Sequence, residues 1–83
     1  MRRFWHTNRE YCQLVYEHTG VWADRAAYAT DNTEYYLYYE GEKAEKIRKA
    51  MPAIQKAVAA LEGAQATWMD SRRCLFLWYS DEK

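Results

Sequence analysis

Residues 34–62 read EYYLYYE followed by GEKAEKIRKAMPAIQKAVAALE, and the change of period between the two halves decides the fold. The first half holds four tyrosines in five positions, a composition that suits a pleated strand far better than a helix. Alternation then sends Tyr35, Leu37 and Tyr39 to one face of a sheet, and Tyr36 and Tyr38 to the other. The second half repeats apolar residues at intervals of three and four: Ala44, Ile47, Met51, Ile54, Val58 and Leu61. That spacing lines one side of an amphipathic helix over about residues 42–62. The opposite side carries Glu45, Lys46, Arg48, Lys49, Gln55, Lys56 and Glu62, with Glu42–Lys46 and Glu45–Lys49 as i,i+4 pairs. Gly63 stands where a left-handed residue ends a helix. Pro52 removes a backbone donor and crowds the carbonyl four residues back, so a kink or two abutting helices is expected there.

Working outward toward the C-terminus, Arg73–Ser80 is a short continuous apolar run, as expected of a strand buried on both faces at the centre of a sheet. Ala66–Asp70 is its expected hairpin partner, turning at Asp70, Ser71 and Arg72. Toward the N-terminus, Asp31–Asn32 is turn chemistry. Tyr11–His18 supports two readings. Cys12, Leu14 and Tyr16 alternate as a strand would, whereas Thr7 with Glu10 forms a capping-box pattern and Gly20 would close a helix. Val21–Thr30 mixes alanines with Val21, Trp22 and Tyr28 and supports neither period. The expected fold is α+β, a single domain over residues 1–83. It has a β-meander, one helix and a C-terminal β-hairpin in one small antiparallel sheet, with the helix on one face. The alternative has region 8–30 helical.

Eighty-three residues bury one modest core, and eight Tyr with four Trp supply unusual ring area for it. The formal net charge is zero, but its distribution is uneven. Glu10–Glu42 holds seven acids and one base, Arg25, while Lys43–Lys56 holds five bases and one acid, Glu45. Two cysteines, Cys12 and Cys74, are few for a stapled secreted scaffold. Met1-Arg2-Arg3 is followed by Phe-Trp-His-Thr-Asn rather than an apolar run, so no signal peptide is expected, and no stretch has the length of a membrane span. The expectation is a cytoplasmic protein with two reduced thiols and no membrane association.

Little in the chain points to catalysis. His6, Cys12, His18 and Cys74 have no zinc-ligand spacing, so no metal site and no cofactor are expected. Cys12 and His18 sit six positions apart, on different faces of a helix or about 20 Å apart along a strand, and neither geometry lets a base activate a thiol. Three glycines build no phosphate-cradling loop.

Binding is the better-supported class. One helix covers one sheet face and leaves the other for solvent or a partner. The expected partner-binding residues are Glu34, Tyr36, Tyr38 and Glu40, with Asp31 and Glu17 as an acidic rim. The expected role is a non-enzymatic inhibitor or adaptor attached to a larger protein or nucleoprotein complex. Small chains of this kind include phage-encoded, anti-CRISPR-like blockers of bacterial immunity, an analogy of size alone. A homodimer through the same face is a third outcome. The runner-up is a small nucleic-acid-binding module using Lys46, Arg48, Lys49 and Lys56, with Arg2-Arg3-Phe-Trp as an arm.

Overall fold

A computed structural model describes residues 4–31 and 33–79. Within region 8–30 the helical alternative holds for residues 8–19 only, and Arg25–Tyr28 is a strand. Helix α1 runs Asn8–Thr19. Thr7 Oγ1 accepts from the Glu10 N–H at 3.2 Å while the Glu10 carboxylate accepts from the Thr7 N–H at 2.7 Å, so two donors that a helix start leaves orphaned are satisfied reciprocally. Gly20 closes the helix at φ 80°, its N–H reaching the Tyr16 carbonyl at 2.7 Å. The strand reading of Tyr11–His18 fails because Gln13, which a strand would place on one face with the fully buried Tyr11 and Val15, is exposed, and Tyr16, on the face with Cys12 and Leu14, is 40% exposed.

Four strands follow: β1 (Arg25–Tyr28), β2 (Glu34–Tyr38), β3 (Gln65–Met69) and β4 (Cys74–Trp78), with α2 (Glu42–Glu62) between β2 and β3. The sheet order is β1-β2-β4-β3 and every pairing is antiparallel. Strands β2 and β3 therefore run parallel to each other with β4 inserted between them, and α2 makes the crossover. The β1–β2 turn is fixed by Asp31, whose Oδ1 accepts from the Thr33 N–H at 3.2 Å and its hydroxyl at 2.7 Å; the adjoining Asn32 lies outside the described residues. The β3–β4 turn falls at residues 70–73, as expected, with Arg73 at φ 54°.

Helix α2 runs through Pro52 as one element rather than two, and Pro52 is exposed. Ala44, Ile47, Ile54 and Val58 form its buried stripe, but Leu61 is 42% exposed. Its charges also pair differently from the i,i+4 expectation: Glu45 meets Arg48 at 2.7 Å, and Lys43 reaches back to Asp24 at 2.7 Å. The Asp24 carboxylate also accepts from the Glu40 N–H at 2.8 Å, tying the start of β1 to the connection between β2 and α2. Lys43 and that N–H hold its carboxyl below the usual range.

Both helices lie on one side of the sheet. The core between the layers joins Tyr11 and Val15 of α1, Ile47, Ile54 and Val58 of α2, and Tyr35, Leu37, Tyr39, Ala66, Leu75 and Leu77 beneath them. Phe4 enters from the N-terminal segment, stacking on Tyr35 at 4.2 Å between centroids and meeting Tyr11 edge-on at 5.3 Å. The expected two-layer α+β arrangement is therefore present, with α1 as a second helix on the covered face.

Candidate binding surface

The face of the sheet turned away from the helices is the surface that no described element covers. Register and alternation set its rows. Tyr36 lies between Ala27 and Phe76, with Thr67 beyond; Tyr38 lies between Arg25 and Cys74, with Met69 beyond; Glu34 and Gln65 flank Trp78. Tyr36, Tyr38, Phe76 and Trp78 are all partly exposed, whereas Tyr35, Leu37, Leu75 and Leu77, their neighbours along the strands, are buried on the covered side.

These rings are organised by contacts within the chain itself. Phe76 stacks on Tyr36 across the strands, centroids 5.1 Å apart and planes 24° apart, and on Trp78 along its own strand at 5.0 Å and 13°. The Tyr36 hydroxyl donates to Glu34 Oε1 at 2.6 Å. That bond first, then burial, pushes the Tyr36 hydroxyl up to about 12, with the nearby Arg72 guanidinium opposing the shift. At the other end Arg25 sits 4.0 Å above the centre of the Tyr38 ring, in cation–π geometry. The face is thus apolar along its middle, cationic at the Arg25 and Arg72 end, and anionic at the Glu34 end.

The residues expected to bind a partner are spread over three places. Glu34, Tyr36 and Tyr38 share the open face, with Asp31 in the turn at the Glu34 end. Glu40 is exposed beyond the far end of β2. Glu17 is separate from the rest: it is exposed on α1, in the layer covering the opposite face of the sheet. Sequence reasoning missed Arg25, Phe76 and Trp78. A period-2 reading of residues 74–78 would have placed Phe76 and Trp78 together on one face, a signal hidden by treating the run as buried on both sides.

The basic helix residues Lys46, Arg48, Lys49 and Lys56 are all exposed. Arg48 is engaged by Glu45, while Lys46, Lys49 and Lys56 follow one line along the helix. The Arg2-Arg3 part of the expected arm lies outside the described residues.

A second polar constellation was not anticipated at all. Glu62, assigned by sequence to the outer face of α2, has a side chain only 4% exposed. Its carboxylate accepts from the Tyr11 hydroxyl at 2.6 Å, from His6 Nδ1 at 2.8 Å, from the Tyr79 hydroxyl and from the Trp5 N–H. An acceptor-only carboxylate requires the proton on His6 Nδ1. Burial alone would raise the Glu62 carboxyl, but the four donors outweigh it and hold the group below its ordinary value. Burial first, and then the same contact, drive the Tyr11 hydroxyl well above its usual range. The arrangement fastens the N-terminal segment and the end of β4 to the last turn of α2. Its carboxylate is occupied by structural donors, which suits anchoring rather than proton transfer.

The thiols do not meet: Cys12 packs among core residues beneath α1, and Cys74 belongs to the other side of the sheet. Burial pushes both thiols up. Among the described residues, no three His, Cys, Asp or Glu side chains cluster in a way that could hold a metal ion. Among the same residues, no helix is long and apolar enough to cross a membrane. No family model matches the chain, and no curated protein or solved structure matches it either.

Proposed function

We propose that this chain is a non-catalytic protein-binding module, an inhibitor or adaptor that attaches to a larger protein or nucleoprotein complex through the open face of its sheet. A phage-encoded blocker of bacterial immunity is one form such a module takes, and only small size supports that narrower version. The observation carrying the reading is the ladder Tyr36–Phe76–Trp78, stacked, partly exposed and covered by no described element. Rigid rings of this kind offer large amphipathic contact area at low entropic cost, which is why aromatics serve as interface anchors. The same stacking argues against nucleic acid on this face. Bases stack on free ring faces, whereas Phe76 is already stacked on both Tyr36 and Trp78 and the Tyr38 ring is already covered by Arg25.

The test compares capture by the immobilised wild type with capture by a Tyr36→Ala/Tyr38→Ala variant from the same nuclease-treated cell extract. The reading expects a protein retained by the wild type and lost, by about tenfold or more, with the double variant at unchanged thermal stability. Equal capture by both overturns it.

Nucleic-acid binding through α2 is a second reading, favoured by Lys46, Lys49 and Lys56 standing exposed in line. It requires oligonucleotide affinity that falls with salt at a log–log slope of about −2 to −3, and a Lys46→Gln/Lys49→Gln/Lys56→Gln variant that no longer binds.

A further inference from the structure

The open face supplies its own complement. Its anionic row, Glu34 with Trp78, and its cationic row, Arg25 with Tyr38 and Cys74, lie on either side of the central row Ala27–Tyr36–Phe76–Thr67. A two-fold axis laid across the strands through that central row maps each outer row onto the other. Two copies packed face to face about this axis set the Glu34 end of one over the Arg25 and Arg72 end of its partner, twice. A two-fold axis along the strands would instead oppose like charges, which disfavours that alternative.

We propose that in the free chain the open face is closed by a second copy, docked sheet on sheet with antiparallel strands about a two-fold axis, so that self-association competes with the larger partner for the same face. The proposal rests on the open face being a docking surface and names what covers it while the larger partner is absent. Closed two-fold pairing is the commonest symmetry of protein assembly, and a self-complementary patch is its requirement. Aligned sheets pack about 10 Å apart with interdigitated side chains, and the short, stacked ladder suits that spacing. The tether from the Tyr36 hydroxyl to Glu34 fixes the carboxylate in place on the face, so little order has to be acquired on docking.

Area sets the strength. Four strands about 4.8 Å apart and five residues at about 3.4 Å each give a plan area of roughly 300 Å² per copy. Two such faces fall below the ~1,200 Å² at which standard stable interfaces begin. The dimer is therefore a weak one, dissociating on dilution through the roughly 10–1000 µM range.

Sedimentation equilibrium of the full chain over that range, at low salt, tests this. The expected result is a weight-average mass rising from the 10.0 kDa of one chain toward twice that value. Arg25→Glu/Arg72→Glu makes both ends anionic and Glu34→Arg makes both ends cationic. Each variant alone should dimerise at least about tenfold more weakly, and an equimolar mixture of the two should recover the wild-type mass. Circular dichroism confirms that each variant is folded. A wild type that stays monomeric throughout overturns the second copy as occupant, leaving the docking reading to be decided by the capture experiment. A dimer indifferent to both charge reversals and to Phe76→Ser also overturns the proposal, because its contacts then lie elsewhere.

Discussion

Replacing Glu62 with glutamine keeps the shape of the side chain and removes its charge, at a site where four donors converge on one carboxylate. The amide oxygen can still receive two of them. The NH₂ group is itself a donor and must face the other two. The Trp5 N–H cannot accept, so the amide turns its oxygen toward Trp5 and Tyr79 and presents its nitrogen to Tyr11 and His6. Hydrogen bonds to a buried charge are each worth about 1.5–3 kcal/mol, and rotation of the Tyr11 hydroxyl together with the other tautomer of His6, whose Nδ1 then accepts, recovers part of the loss. The net cost is about 2–4 kcal/mol, out of a stability of roughly 4–12 kcal/mol expected for a chain of this size. At about 4–8 °C per kcal/mol, Tm should fall by roughly 10–30 °C. Glu45→Gln is the control: the same chemical change on the same helix, at a side chain 52% exposed and paired with Arg48, should cost no more than about 0.5 kcal/mol. The pH dependence has a fixed sign. The folded-state carboxyl of Glu62 lies below the ordinary 4.5, so between the two values the unfolded chain binds more protons. Its stabilisation is fully present above 4.5 and is lost as pH falls through the lower folded value. The gap between wild type and Glu62→Gln should therefore hold constant at neutral pH and close in acid. Thermal unfolding followed by circular dichroism from neutral to acid pH reads all of this. Equal Tm values for Glu62→Gln and Glu45→Gln would refute the reasoning.

Two further perturbations probe the core. The Tyr39 ring is fully buried and its hydroxyl has no hydrogen-bond partner among the described residues, so Tyr39→Phe should leave stability unchanged or raise it by about 1 kcal/mol; a loss of that size in denaturant unfolding would show that the hydroxyl is bonded. Burial raises both thiols, and Cys74 is fully enclosed while Cys12 is only partly so. Maleimide labelling at neutral pH should therefore be slow in the native protein, with Cys12 reacting before Cys74, and rapid for both in denaturant. Fast native labelling of Cys74 would contradict the packing.

The parts of the fold legible in sequence are those where burial follows one clean period. Strand β2 alternates buried and half-exposed residues from Glu34 to Tyr38, and α2 buries residues spaced three and four apart. Helix α1 was ambiguous because Cys12, Leu14 and Tyr16 mimic alternation, and only the caps at Thr7 and Gly20, with the burial of Tyr11 and Val15, decide it. Strand β1 leaves almost no trace: its four residues RAAY form a largely exposed edge, held by pairing with β2 rather than by any pattern of their own. The Glu62 anchor could not be read at all, since Trp5, His6 and Tyr11 lie more than 50 positions away in the chain. Tyr36 and Tyr38 were legible as a face, but the partners that extend it, Phe76, Trp78 and Arg25, depend on strand order, which local sequence does not encode.

The most direct test of the open face as a docking surface is hydroxyl-radical footprinting of the free chain and of the chain in its assembled state. The structure supplies internal controls away from that face: Trp5, 87% exposed, and Trp22, 47% exposed. The account predicts that assembly protects Tyr36, Phe76 and Trp78 together while both controls remain fully oxidised. Protection of Trp5 or Trp22 with the ladder still labelled as in the free chain would contradict it.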